Sequence, residues 1–290
     1  MSTLTTATID DLAAIQDLFA RVDDVPSDLA LVAEEKCFAP GFRGPARVRS
    51  LSLRNQIKGV AVTCGRHLRI LVVDQRERGN GIGSALLADS EEQVRSAGFS
   101  SLEVASEAGN YFTPGTPLEN TRAIQFLEWR GFIRSDEALN LQVSLQDNPL
   151  IPSSSDFDDR VTRGNAANRS EVTDFIDRHF GPIWKFEVDK AFNTSPPTVF
   201  VARLDGAIAG FSAHDVNNRG LGFFGPEGVD SSVRNQGFGR SLLLASLADL
   251  RARGFRQSTI PWASSVDFYA RSCGAEVSGR FAILAKRLEL

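Results

Sequence analysis

Cysteine, histidine, tyrosine and methionine are all scarce in this chain of 290 residues, which holds three, three, two and one of them. Cys37, Cys64 and Cys273 are odd in number and far apart, and no C-x-x-C pair occurs. With the histidines scattered as well, the pattern argues against a zinc site and reads as buried free thiols in a reducing compartment. The N-terminus lacks a basic region followed by an apolar core, so no signal peptide is expected. No apolar run approaches the ~20 residues that cross a bilayer, which leaves a cytoplasmic location and no membrane partner as the expectation. The net charge of −4 lacks the basic excess that neutralises phosphates, so no nucleic-acid partner is expected either. At 42% hydrophobic and 23% charged, 290 residues suit two globular domains, each with its own core.

What is present centres on one stretch, Arg234-Asn235-Gln236-Gly237-Phe238-Gly239-Arg240-Ser241-Leu242-Leu243. It lies between a strand-like run, Gly222 to Val229, and a helix-like run that ends near Arg253. A cation and two glycines at a strand-to-helix junction expose backbone N–H groups at the positive end of the helix dipole, a seat for phosphate oxygens. Each such anion–dipole contact contributes roughly 0.3–1 kcal/mol when exposed, so several amides must converge. The same stretch occurs earlier as Arg78-Gly79-Asn80-Gly81-Ile82-Gly83-Ser84-Ala85-Leu86-Leu87. Arg95, Gly98 and Phe99 then match Arg251, Gly254 and Phe255 without a gap, which marks a duplicated unit.

The rest of the chain repeats around these loops. In the first half, a strand over Thr3–Thr8 precedes helices over 10–19 and Ser27–Glu35. Strands follow at Arg47–Leu53, Lys58–Thr63 and His67–Val73, then the first glycine loop, a helix capped by Gly98 and a strand at Ser101–Ala105. A Gly- and Pro-rich loop, a helix over Glu119–Arg130 and a strand at Asn140–Leu145 close the half. The segment 148–159, with two prolines and three consecutive serines, reads as a linker. The second half runs from a strand at Arg160 through helices over Ser170–Arg178 and Trp184–Phe192 to a hairpin about Asp205-Gly206. After the second loop come a strand at Ser258–Trp262, a short helix over Val266–Arg271 and strands from Ala275 to Leu288.

A dinucleotide fingerprint requires a third glycine where Ser84 and Leu242 stand, and a P-loop requires G-K-[ST], which neither copy has. The pattern R-x-x-G-x-G after an apolar strand resembles the GCN5-related N-acetyltransferase (GNAT) family. That family's later segment is echoed by Asn120–Phe132 in the first half and Phe268–Ala275 in the second. The resemblance covers nearly the whole chain. It implies an α/β fold with mixed sheets, two tandem GNAT-type acyl-CoA-binding domains at 1–147 and 160–290, and acetyl-CoA as cofactor. It further implies transfer of the acetyl group to the primary amine of a small molecule by direct attack in a ternary complex.

By the same resemblance the cofactor seats are Val229, Arg234, Asn235, Gln236, Gly237, Phe238, Gly239 and Arg240 in the second half. In the first half they are Val73, Arg78, Gly79, Asn80, Gly81, Ile82 and Gly83. The proton for the leaving thiolate falls to Tyr269, where the first half has Leu127, so the second half is the expected catalytic one. Glu227, two residues before Val229, is the candidate base, with His214 and Asp215 as rivals and an ordinary solvated carboxylate as the alternative. His179, Phe180, Trp184, Phe186 and Trp262 stand where an acceptor would bind or where a core would pack. The loop around Tyr111 reads as structural. A non-catalytic acyl-CoA sensor is the alternative function, and both a monomer with internal pseudo-symmetry and a homodimer stay open.

Overall fold

Arg54-Asn55 and Asp205-Gly206 place both turn residues at positive φ (50° and 61°; 50° and 83°), the geometry that joins two antiparallel strands most tightly. Each turn sits inside a copy of one topology. The computed structural model describes residues 2–152 and 158–289, so part of the expected linker, 153–157, lies outside the described residues.

The first compact unit takes residues 1–138 and 280–290. Along it run β1 (Ser2–Thr6), α1 (Leu12–Ala20), α2 (Asp28–Leu31), α3 (Ala33–Phe38), β2 (Arg47–Leu53), β3 (Gln56–Cys64) and β4 (His67–Val73). α4 (Ile82–Ser96), β5 (Ser101–Val104), β6 (Thr116–Pro117), α5 (Thr121–Glu128) and the start of β7 (Ile133–Ser144) follow. The second unit, 139–279, holds the end of β7, β8 (Val161–Arg163), α6 (Arg169–Phe180), α7 (Pro182–Ala191), β9 (Val199–Leu204) and β10 (Ala207–His214). It continues with β11 (Phe224–Val229), α8 (Phe238–Ala252), β12 (Gln257–Ile260), α9 (Val266–Cys273) and the start of β13 (Glu276–Arg287). The expected single helix over Ser27–Glu35 is two short pieces, broken at Val32, whose φ of −105° and ψ of 15° leave the helical range.

In the first unit β1, β2, β3 and β4 pair antiparallel, β5 joins β4 in parallel, and the end of β13 pairs antiparallel with β5. In the second, β8, β9, β10 and β11 pair antiparallel, and β12 pairs antiparallel with the end of β7. The fold is a mixed α/β arrangement in each unit. The compact units depart from the expected spans 1–147 and 160–290 at their ends. β5 and β12 each need a partner for a buried edge, and residues 284–287 serve β5 while residues 141–144 serve β12.

One close approach recurs in both units. A Cβ on Gly59 of β3 would lie 2.7 Å from Ile82 and Leu86 of α4, and one on Gly210 of β10 would lie 3.1 Å from Leu242 of α8. The glycine loop is therefore seated by its helix resting directly on a strand backbone. Gly59→Ala is expected to destabilise the protein by about 1–3 kcal/mol through overpacking, read as a lower urea midpoint; an unchanged midpoint would show that this contact does not set the helix position.

Candidate functional site

Two parallel strands part company in each unit. β4 and β5 pair only at His67–Glu103 and Leu68–Val104, and β11 meets β12 only at the Phe223–Thr259 bridge, with Thr259 N donating to Gly222 O over 3.2 Å. Beyond those points no described strand pairs with that side of β4 or β11, and a fork opens. One arm ends in a valine opposite a glycine in both units: Val73 faces Gly59, and Val229 faces Gly210. Asp74 and Asp230 then cap a short turn by accepting from the N–H two residues on, and the chain reverses into the loop.

The two loops share one backbone path. Gly79 and Gly81 have φ of 82°, and Asn235 and Gly237 have φ of 64° and 86°. The first bonds inside the helices are Ala85 N to Gly81 O (2.9 Å) and Ser241 N to Gly237 O (3.0 Å). The N–H groups of Ile82, Gly83 and Ser84, and of Phe238, Gly239 and Arg240, make no hydrogen bond among the described residues, as first-turn amides do without a cap. A Cβ on Gly81 or Gly237 would meet nothing within 4 Å, so the space above each loop is open and left-handed φ is what requires glycine there. Gly83 and Gly239 have another role: a Cβ would lie 3.3 Å from Phe126 and 3.5 Å from Phe268, at the closest packing of the helix that follows. Ile82 and Phe238 are buried, so each offers the site only its main chain.

The forks differ in what lines them. Glu227 on β11 faces Ser212, two residues before Val229, where Leu71 of β4 faces Ala61 two before Val73. Its Oε1 is enclosed with no partner among the described residues, 3.5 Å from where a Cβ on Gly239 would stand, and burial pushes its pKa well above the usual carboxylate range. Tyr269 packs edge-on against Phe268 and Phe224, at centroid distances of 5.0 and 6.3 Å, and its hydroxyl has no partner among the described residues. Burial first, and the Glu227 charge second, push the Tyr269 pKa up. Cys273 donates to Tyr269 O (3.2 Å), and burial moves its thiol up to about 11. Glu227, Tyr269 and Cys273 thus share one electrostatic neighbourhood. The Glu227 side chain as a whole is half-buried, with Oε1 the enclosed oxygen.

The loop cations differ as well. Arg78 binds Asp24 with both terminal nitrogens (2.8 and 2.6 Å) and donates from Nε to Val73 O (3.2 Å). Arg234 makes no hydrogen bond or ion pair among the described residues, although its charge helps to lower the pKa of Asp230. Under the other face of β4 the buried Arg69 pairs with Glu107 (2.5 and 2.9 Å) and donates to Lys36 O and Ala39 O, while the buried Lys36 reaches Asn110 (2.9 Å). These bonds anchor the loop around Tyr111 within its own unit. Sequence reasoning missed both networks, whose partners lie 54, 38 and 74 residues apart.

The rival bases are engaged elsewhere. His214 is buried with Nε2 2.8 Å from Asp249, which also holds Arg163 and Arg253. Asp249 lies ten residues beyond Gly239 on α8, roughly 15 Å along the helix. Asp215 accepts from Gly220 N (2.7 Å) in its own loop. Phe180 stacks on Trp184 (5.3 Å) and meets Phe211 edge-on (5.4 Å), and a Cβ on Gly228 would lie 2.6 Å from its ring. Core packing accounts for these two aromatics. His179 lies 3.7 Å from the Asp230 carboxylate. Trp262, at φ 50°, has its N–H held by Asn140 Oδ1 (3.1 Å). Among the described residues the cysteines are free and buried, no three His, Cys, Asp or Glu side chains group to hold a metal ion, and no helix is long and apolar enough to cross a membrane.

Comparison with known proteins adds the family. A model described as acetyltransferase (GNAT) family matches residues 167–275, and one described as acetyltransferase (GNAT) domain matches residues 46–111. No curated protein matches the chain. A GCN5-related glucosamine N-acetyltransferase region of a fungal multi-domain β-N-acetylglucosaminidase superposes with a TM-score of 0.80 at 17% identity, over 98% of this chain and 38% of that one. The chain thus spans well under half of that fungal protein. A GCN5-related N-acetyltransferase from Sphaerobacter thermophilus gives 0.72 at 16% identity, over 100% and 96% of the two chains. A tandem GNAT protein from the clavulanic acid biosynthesis pathway gives 0.71 at 16%, over 100% and 99%. At these identities the likeness is one of fold.

The isolation of Glu227 has a thermodynamic signature. Its folded pKa lies above its unfolded one, so its cost is absent at low pH, grows as pH rises through the ordinary carboxylate range and levels off above the folded value. Glu227→Leu, which copies Leu71 of the first unit, is expected to raise stability at pH 7 by about 1–3 kcal/mol, with little gain near pH 4. Equal effects at both pH values in urea unfolding would contradict the burial of that carboxyl.

Proposed function

This chain belongs to the GNAT family of acetyltransferases, matched in both of its halves, and we propose that it transfers the acetyl group of acetyl-CoA to a primary amine, with the second unit catalytic. One observation carries the choice of unit: only there does an uncovered phosphate loop meet two proton-bearing side chains, Glu227 and Tyr269, where the first unit has Leu71 and Leu127. The free N–H groups of Phe238, Gly239 and Arg240, with Arg234 beside Asn235 and Gln236, suit a diphosphate. The unpaired side of β11 up to Val229 suits an amide-bearing arm laid along it like an added strand. When bound, acetyl-CoA supplies an acyl thioester at that edge.

The side chains then divide the proton work. The burial that raises the Glu227 pKa makes its carboxylate a stronger base than a solvated one, fit to take a proton from the incoming ammonium directly or through water. Tyr269, with its pKa pushed up, stays protonated at working pH and holds a proton for the departing sulfur. In this reading a main-chain N–H at the Val229 end of β11 steadies charge on the carbonyl oxygen, a donor worth roughly 2.7–4 kcal/mol in comparable sites. Cys273 is a poor nucleophile at about 11, which favours direct attack by the amine in a ternary complex over an acyl-enzyme.

The acceptor is proposed as a small-molecule amine, with no nucleic-acid or membrane partner, in a cytoplasmic setting that suits three free thiols. Amino sugars head the test panel, because the fungal relative is described as a glucosamine N-acetyltransferase region. The second reading is an acyl-CoA sensor, and acetyl-CoA binding without turnover on any amine would favour it.

Tyr269→Phe is expected to keep the acetyl-CoA affinity and to lower kcat by ~10²–10⁴; full activity would remove Tyr269 from the mechanism. In the wild type, kcat/KM should rise with pH along a limb placed above the ordinary carboxylate range, as Glu227 loses its proton. Glu227→Gln should abolish that limb, and a limb left in place excludes Glu227 as the base.

A further inference from the structure

The N-terminal loop keeps the whole cradle, yet its cation is already occupied. Arg78 and Asp24 meet fork to fork at 2.8 and 2.6 Å, the two-point arrangement in which a guanidinium binds a carboxylate or a phosphate. Arg78 Nε takes Val73 O, the main-chain acceptor at the tip of the open arm. Asn120, which caps α5 through Ala123 N, also points its amide at Asp24, 3.5 Å from both its main-chain O and its Oδ2. The residue before the first loop is thereby tied through Arg78 to the segment after α1 and to the start of α5.

A cavity of about 290 Å³ opens at the same place, lined by Asp23, Asp24, Arg78, Glu119, Asn120 and Arg122 among others. Three of these are carboxylates. The hydrogen bond from Arg78 holds the Asp24 pKa below its ordinary value, with the Arg122 charge adding to the effect, so the group stays ionised. A diphosphate approaching this loop would meet three carboxylates against two guanidiniums, Arg122 and an Arg78 with both outer nitrogens engaged. The second unit has no counterpart to this arrangement. There α6 runs into α7 through Gly181-Pro182, with no acidic loop between the helices, and Arg234 makes no ion pair among the described residues.

We propose that Asp24 stands in for the diphosphate as a latch on Arg78, so that the N-terminal loop, though open above Gly81, takes no acyl-CoA and the chain binds one and not two. The inference rests on the reading of the loops as coenzyme A seats. Isothermal titration of the full chain and its variants with acetyl-CoA tests it. The wild type should bind one equivalent and Arg234→Glu none; Asp24→Asn should bind two, and the double variant one. Asp24→Ala is titrated beside Asp24→Asn, because an asparagine can still accept from Arg78. Two equivalents in the wild type would overturn the latch. So would a single wild-type site that survives Arg234→Glu, or one equivalent in both Asp24 variants that disappears on adding Arg234→Glu. No binding in any protein would instead sink the coenzyme A reading of both loops, and the latch with it.

Discussion

A parallel strand pair that opens into a fork leaves main-chain groups with nothing to bond. Buried N–H and C=O groups are costly without partners, so each fork must be filled by the protein, by water or by a ligand. β11 leaves its edge unpaired from Phe224 to Val229, and β4 does so from Arg69 to Val73. The hairpins, the glycine-mediated approach of α4 and α8, and the caps at Asp74 and Asp230 all fix where that edge ends and where the loop begins. Each unit is in this sense a frame around an unfinished ladder.

The two frames answer that demand in opposite ways. In the first unit the open edge is partly satisfied from within: Arg78 bonds Val73 O, and Arg69, Glu107, Lys36 and Asn110 fill the face behind β4 with paired polar groups. Such buried pairs set geometry more surely than they add stability, since desolvation offsets much of their attraction. In the second unit the face behind β11 is packed by Phe180 against Gly228, no described residue bonds Val229 O, and the half-buried Glu227 has its Oε1 enclosed without a bond. A protein selected only for stability would hold a leucine there, as the first unit does. An enclosed Oε1 without a partner among the described residues costs stability whenever the carboxyl is ionised.

How much of this was legible in the sequence follows from range. The loops, the hairpin at Asp205-Gly206 and the helix end at Gly98 are dictated by residues a few positions apart, and φ at each falls where the sequence implies. The duplication was legible because it repeats such local signals in order. The exchange of last strands at residues 139 and 280 was not, because β5 and β12 accept any strand of suitable pattern and no local residue says which. Likewise Asp24 and Arg78 are individually ordinary, and only the fold brings them together across 54 positions. Glu227 was visible as a candidate, but its isolation was not, since absence of a partner is a property of the surroundings.

These differences are differences of side chain within one duplicated frame. Duplication gives two loops of near-equal backbone geometry, with Gly81 and Gly237 at φ of 82° and 86°, so backbone alone does not tell the two apart. Side chains decide, and they do so at both ends of the cleft. At the phosphate end the first unit spends its arginine on Asp24, whereas the second leaves Arg234 without an ion pair among the described residues. At the reacting end the first unit has Leu71 and Leu127, and the second has Glu227 and Tyr269. Either change alone would weaken one step, binding or proton transfer. Both differences fall in the same unit, and together they are the ground on which catalysis is proposed for the second.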